Sequence, residues 1–83
     1  MTEDVVDQYA MFVRYAPTEL VYFLDVLMTD FANLRRNEDR SAFNTVLVEF
    51  LSVLNLFYRE GRISRRVLNM GKQIVDTIII ELN

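Results

Sequence analysis

The sequence predicts an all-α protein, in which residues 1–83 form a single compact bundle of four short antiparallel helices that dimerises. Hydrophobic residues make up 52% of the chain, and they recur every three or four positions, which is the period of a helix with one buried face. Pro17 and Gly61 fall where this period is interrupted. The segments between the periodic stretches are short, which favours antiparallel neighbours.

The first helix is predicted from Glu3 to Ala16, with Thr2 as its N-cap. The acids of its first turns lie near the positive end of the helix dipole. Pro17 then ends the periodic run, and a new helix can begin there because proline is tolerated in a first turn. The apolar residues that share one face are Val5, Val6, Tyr9, Phe12, Val13 and Ala16.

The second helix is predicted from Pro17 or Thr18 to Arg36, and the polar residues 37–40 form the turn after it. Its buried face repeats with the helical period. The residues of that face are Leu20, Phe23, Leu24, Leu27, Phe31 and Leu34, widened by Val21, Met28 and Ala32.

The third helix is predicted to begin after Asp39 or Ser41, since both are good N-cap residues. We expect it to end at Gly61, because glycine is favoured just after a helix C-terminus. Its buried stripe consists of Phe43, Val46, Leu47, Phe50, Leu51, Leu54, Phe57 and Tyr58.

The fourth helix is predicted to begin near Ser64. Gly71 lies on its apolar side, either as a weak position that costs about 1 kcal/mol relative to alanine or where another helix backbone comes close. Residues 77–80 are β-branched and fit a strand by propensity, but we predict a helix because the preceding residues keep helical phase. The apolar residues of this helix are Val67, Leu68, Met70, Ile74, Val75, Ile78, Ile79 and Leu82.

Seven apolar side chains fall away from these core-facing stripes when the helices are drawn at about 100° per residue. Large apolar residues left outside a core often mark a protein interface. Tyrosine and methionine are also among the residue types enriched at protein contacts. The predicted interface residues are Met11, Tyr15, Tyr22, Val26, Val48, Leu56 and Ile80.

The chain has no histidine and no cysteine, which removes the commonest general base, the usual thiol nucleophile, disulfides and the usual zinc ligands. Glu3 and Asp7 are four residues apart, but the dipole of the first helix accounts for both. We therefore expect no enzyme activity, no catalytic residue, no cofactor and no metal site. A small hydrophobic core that has neither disulfides nor a structural metal is often stabilised by a second subunit.

The segment from Arg59 to Lys72 holds five bases and one acid, a net charge of +4. Guanidinium groups on both sides of a turn can contact a phosphate backbone. Residues 60–64 resemble the turn that leads into the first helix of many winged-helix regulators, which implies nucleic-acid binding. The sequence departs from that pattern downstream, because residues 72–80 are too apolar for a recognition helix. The candidate basic patch is Arg59, Arg62, Arg65 and Arg66, with Arg35, Arg36 and Arg40 as a second cluster.

No run of consecutive apolar residues reaches the roughly 18–20 that a membrane-spanning helix requires. The residues after Met1 are acidic where a secretory signal is basic. We therefore expect a soluble, cytoplasmic protein with no membrane partner.

These observations predict a small acidic protein, of net charge −3, that acts without catalysis as an intracellular protein-interaction or regulatory module. We expect a homodimer that binds a surface on another macromolecule, a profile typical of phage, viral, plasmid or adaptor proteins. The first alternative is a nucleic-acid-binding regulator that uses the arginines of residues 59–66. The second is a carrier of a small hydrophobic ligand.

Overall fold

The computed structural model of the chain describes the backbone of residues 3–37 and 40–83 and the side chains of residues 4–34 and 40–83. Four helices span these ranges, which contain no strand: α1 (Glu3–Tyr15), α2 (Thr18–Asn37), α3 (Arg40–Arg59) and α4 (Arg65–Leu82). The predicted all-α fold of four packed helices is therefore confirmed. The antiparallel order and the dimer stay predictions.

The break between α1 and α2 falls at Pro17, as the sequence predicts. The Pro17 carbonyl oxygen accepts hydrogen bonds from the backbone N–H groups of Leu20 (3.0 Å) and Val21 (3.1 Å). Pro17 therefore occupies the N-cap position of α2. Proline has no backbone N–H, but an N–H at this position would have no acceptor within the helix, so no helical hydrogen bond is lost. Thr2, the predicted N-cap of α1, lies outside the described residues.

The end of α3 is a Schellman motif centred on Gly61, which has φ +72°. Glycine adopts this left-handed conformation without the steric cost that a Cβ atom brings. The Gly61 N–H donates to the Tyr58 carbonyl at 3.0 Å, and the Arg62 N–H donates to the Phe57 carbonyl at 2.9 Å. These bonds satisfy two carbonyls that the helix end leaves without partners, so the predicted role of Gly61 is confirmed.

Ser64 is the N-cap of α4, as predicted, and its hydroxyl oxygen accepts a hydrogen bond from the Val67 backbone N–H at 3.2 Å. Replacing Ser64 with alanine should lower the free energy of unfolding by about 1 kcal/mol, because that N–H loses its partner. Urea denaturation followed by circular dichroism measures the change. Ser64→Asp is the control, because aspartate keeps the capping oxygen and should retain most of the stability.

The predicted cap of α3 is wrong at Ser41, whereas the helical prediction for residues 77–80 is confirmed. Ser41 was one of two candidate caps for α3, but α3 begins at Arg40, so Ser41 lies inside the helix and is not its cap. Asp39, the other candidate, lies outside the described residues. Residues 77–80 belong to α4, because the buried Ile78 keeps the helical phase of Ile74. Burial of that helical face outweighs β-propensity.

The core is formed by α1 packing on α4, α4 on α3 and α3 on α2, whereas α1 and α2 contact each other less. Phe50 lies at its centre, with ring centroids 6.2 Å from Phe12 and 6.0 Å from Phe23. A second pair, Phe31 and Phe43, stacks at 5.9 Å. Because these pairs join α1, α2 and α3, the phenylalanines connect three of the four helices.

Gly71 is buried where α4 meets α3 and α1. A Cβ atom at this position would lie 2.6 Å from Leu54 Cδ2 and 3.3 Å from Phe12 Cε1. The predicted approach of another helix backbone to Gly71 is therefore wrong, because the side chains of Leu54 and Phe12 occupy the space beside it.

The expectation that no segment is apolar enough to cross a membrane needs a correction at α3. Within residues 3–37 and 40–83, α3 is the one helix that reaches the length and apolar composition of a membrane span. Its phenylalanines Phe43, Phe50 and Phe57 are buried in the core of the bundle. Core packing accounts for part of this apolar composition, since 28% of the stretch is buried.

Candidate interaction surface

All seven predicted interface residues have exposed side chains, from 40% for Met11 to 73% for Ile80. Tyr22 is 72% exposed and Val48 is 59% exposed. The exposure predicted from helical geometry is confirmed, and the role of these residues in an interface stays a prediction.

Four further apolar residues, Val6, Val13, Ala32 and Ile79, are exposed although the sequence placed them on buried faces. Ala32 lines the groove between α1 and α2 together with Val6. For Val6 and Val13 the prediction is wrong because the side of α1 that faces α2 has few contacts with it. Ile79 instead lines an open groove together with Arg40 and Asn44. Helical periodicity alone could not identify these residues, since it does not show which neighbour covers each face.

The exposed apolar residues lie on all four helices and do not form one patch. Met11 and Tyr15 lie on α1, Tyr22 and Val26 on α2, Val48 and Leu56 on α3, and Ile80 on α4. A single flat interface cannot cover every side of a bundle 37 × 24 × 20 Å in extent. The exposed side chains therefore belong to more than one surface.

One surface, which we call the α1/α4 groove, combines residues from the predicted apolar and basic sets. The groove has a volume of about 280 Å³. Met11 contributes to it from α1, and Arg66 contributes from α4. The complete lining is Asp7, Gln8, Met11, Arg66, Met70 and Gln73.

The basic end of the α1/α4 groove is marked by a cation–π contact. The Arg66 guanidinium lies 5.3 Å from the centre of the Tyr15 ring, and the Arg14 guanidinium approaches that ring at 6.0 Å. Cations are attracted to the electron-rich face of an aromatic ring at such distances. The structure thus brings Tyr15 and Arg66 together although 51 positions separate them in the chain.

Arg62, from the same basic set, is engaged within the chain. Its guanidinium forms an ion pair with Glu19 at 2.6 Å and lies 3.8 Å from the centre of the Phe57 ring. The pKa of the Glu19 carboxyl is lowered, first by a hydrogen bond from its own backbone N–H and then by the hydrogen bond from Arg62. Arg62 therefore links the turn before α4 to the first turn of α2.

The other candidate arginines are distributed along the surface. Arg59 lies in the last turn of α3, where a cation complements the helix dipole, and Arg65 lies 5.8 Å from the centre of the Tyr58 ring. In the second cluster, Arg40 donates to the Leu82 carbonyl at 2.5 Å. The side chains of Arg35 and Arg36 lie outside those described. Nucleic-acid binding by these arginines stays a prediction.

A larger groove of about 440 Å³ runs between α1 and α2, where these helices have fewer contacts. The Tyr9 hydroxyl donates a hydrogen bond to the Asp25 carboxylate. That bond and partial burial raise the pKa of Tyr9, because both favour the protonated phenol. The lining residues of this α1/α2 groove are Val6, Tyr9, Asp25, Met28, Thr29, Ala32 and Asn33.

Neither groove provides a set of metal ligands. In the described part of the chain, no three acidic side chains lie close enough together to hold a metal ion. Among the described side chains, Arg62 forms ion pairs with Glu19 and, at 3.9 Å, with Glu60. Apolar contact and surface charge are therefore the chemistry that both grooves offer.

Comparison of the chain with family models, with curated proteins and with solved structures gave no match.

Proposed function

We propose that the protein is a small, non-enzymatic interaction module that acts in the cytoplasm as a homodimer and binds a surface on another macromolecule. The observation that carries the proposal is the exposure of large apolar side chains on every helix, reaching 73% at Ile80. Covering such side chains is favourable by roughly 1.5–3 kcal/mol for each one that becomes fully buried. Burial of these side chains therefore favours association, against the translational and rotational freedom that two chains lose when they associate.

The positions of these residues support two separate contacts. A homodimer that covers one side of the bundle leaves apolar residues exposed on the other helices. If the two copies meet at the α1/α4 groove, for example, Val48 and Leu56 on α3 stay available for a different partner. This arrangement suits an adaptor, which holds itself together with one surface and binds its target with another.

The small size of the core also supports association. A chain of 83 residues without disulfides gains limited stability from one hydrophobic core. A homodimer adds buried apolar area without adding chain length. Stability that depends on association also depends on protein concentration.

The purified protein is expected to have a mass by light scattering of about twice 9.8 kDa, the mass of one chain. Size-exclusion chromatography coupled to light scattering, run over a hundredfold range of concentration, measures this mass. Sedimentation velocity provides an independent check. A monomer at every concentration, up to hundreds of micromolar, would contradict the homodimer.

A further inference from the structure

We infer that the second copy docks on the α1/α4 groove about a two-fold axis near Met11 and Met70, so that Asp7 of each copy pairs with Arg66 of the other. This inference rests on the proposed homodimer and specifies the surface that forms it.

A two-fold interface uses the same patch on both copies, so the patch must be complementary to itself. The α1/α4 groove has this property. Asp7 lies at one end, Met11 is one helical turn further along α1, and Tyr15 beyond it contacts Arg66. Asp7 and Tyr15 are eight residues apart, so the acidic and basic ends are separated by about 12 Å along the helix. Rotation by 180° about the middle places each acid opposite a base.

Asp7 and Arg66 are exposed, and neither forms an ion pair with another of the described side chains, those of residues 4–34 and 40–83. Opposite charges that meet across an interface favour the correct orientation and disfavour wrong partners. Two such pairs form in each dimer, because the symmetry repeats every contact. Asp7 and Arg66 are thus available to form ion pairs with a second copy.

The middle of the groove is apolar and adaptable. Met11 is 40% exposed, and Met70 is half-buried on α4. Methionine side chains fit against varied surfaces because they are unbranched and polarizable. Gln8 and Gln73 flank them. The Gln8 Oε1 is buried within the chain, whereas Gln73 is exposed and supplies both a hydrogen-bond donor and an acceptor that two copies can exchange across the axis.

Two other grooves of the described structure do not share this self-complementarity. Asp25 is the charged residue among those that line the α1/α2 groove, and Arg40 is the charged side chain in the groove between α3 and α4. Each of these two grooves carries a single sign of charge, so a second copy docked there offers no opposite charge from the same groove. Opposite charges that meet across an interface favour the correct orientation. Among these three grooves, charge therefore favours the α1/α4 groove for contact with a second copy.

A charge exchange between variants tests this pairing. Asp7→Arg alone places two arginines at each contact, and Arg66→Asp alone places two aspartates there, so each variant should dimerise at least about tenfold more weakly. An equimolar mixture of the two variants restores opposite charges at both contacts. It should form a heterodimer close to the wild-type affinity, which sedimentation velocity measures. If the two variants associate with each other no more tightly than each associates with itself, the inferred pairing is wrong.

The apolar middle of the groove provides the second test. Met11→Asp should give a monomer at concentrations where the wild type is a dimer, with an unchanged far-ultraviolet circular dichroism spectrum. Val48→Asp is the matched control, since Val48 is also exposed but lies on α3, and it should remain dimeric. A monomeric Val48→Asp beside a dimeric Met11→Asp would overturn the inferred surface while the proposed homodimer stands. If the wild-type protein is a monomer, both the inferred surface and the proposed homodimer are wrong.

Discussion

Replacing Phe50 with alanine should lower the free energy of unfolding by about 3–5 kcal/mol. The Phe50 side chain is fully buried and its ring meets those of Phe12 and Phe23. Truncation removes contacts with α1 and α2 together and leaves a cavity where three helices meet. Domains of this length have total stabilities of about 4–12 kcal/mol, so the loss is a large fraction of the whole. Urea denaturation followed by circular dichroism measures it.

The control for Phe50→Ala is Val48→Ala, two residues away on the same helix. Val48 is 59% exposed, and surface changes of this kind alter stability by no more than about 0.5 kcal/mol. Both variants are to be compared with the wild type at one protein concentration, because association adds to apparent stability. A loss below about 1 kcal/mol for Phe50→Ala would contradict the central position of this ring in the core.

Replacing Gly71 with valine should destabilise the fold by about 1–3 kcal/mol through overpacking. The first added carbon alone would lie 2.6 Å from Leu54 Cδ2 and 2.9 Å from Leu54 Cδ1. Leu54 is fully buried, so its side chain moves only by displacing other core residues. Chemical denaturation measures the loss, and Gly71→Ala should be much milder, because better helix propensity offsets part of the clash.

Lys72→Val is the control for Gly71→Val, since Lys72 is the next residue of α4 and is exposed. It should change stability by less than about 1 kcal/mol, as expected from helix propensity. A double-mutant cycle with Leu54→Ala tests the cause. If contact with Leu54 produces the loss, Gly71→Val should cost clearly less in the Leu54→Ala background than in the wild type. Equal costs in both backgrounds would show that Leu54 is not responsible.

The two substitutions have different consequences for the proposed homodimer. Phe50 lies inside the bundle and does not line the α1/α4 groove, so it affects association only through folding. Gly71 lies on α4 next to Met70, a groove residue, but its own contacts are with Leu54 and Phe12 in the core. Variants of the core and variants of the groove therefore separate folding from association in this small protein.

Much of the fold could be predicted because the helix ends and the buried faces follow local rules. Pro17, Gly61 and Ser64 act through the backbone within a few residues of themselves, so sequence alone locates them. The helical period places Phe12, Phe50 and Ile78 on buried faces because a helix has one preferred side when it packs on a neighbour. The start of α3 was less certain, since Asp39 and Ser41 are both good caps and the local sequence does not choose between them.

The exposed side chains were predicted less completely. Helical wheels identified Tyr22, Val48 and Ile80 because these residues lie among polar neighbours on the outer faces. Val6 and Val13 share a face with truly buried residues, and their exposure depends on the distance between α1 and α2. Periodicity contains no information about that distance.

The sequence by itself determined the four helices, the helix ends at Pro17, Gly61 and Ser64, most of the buried faces and the separation of acidic and basic segments along the chain. The tertiary structure alone decided three contacts. The Arg66 guanidinium lies over the Tyr15 ring, Arg62 forms an ion pair with Glu19, and the absence of a side chain at Gly71 leaves room for the Leu54 side chain. The physical reason is the range of the interactions. Helix period and capping act over a few residues, whereas a groove between α1 and α4 forms only when the packing of the whole bundle brings distant residues together.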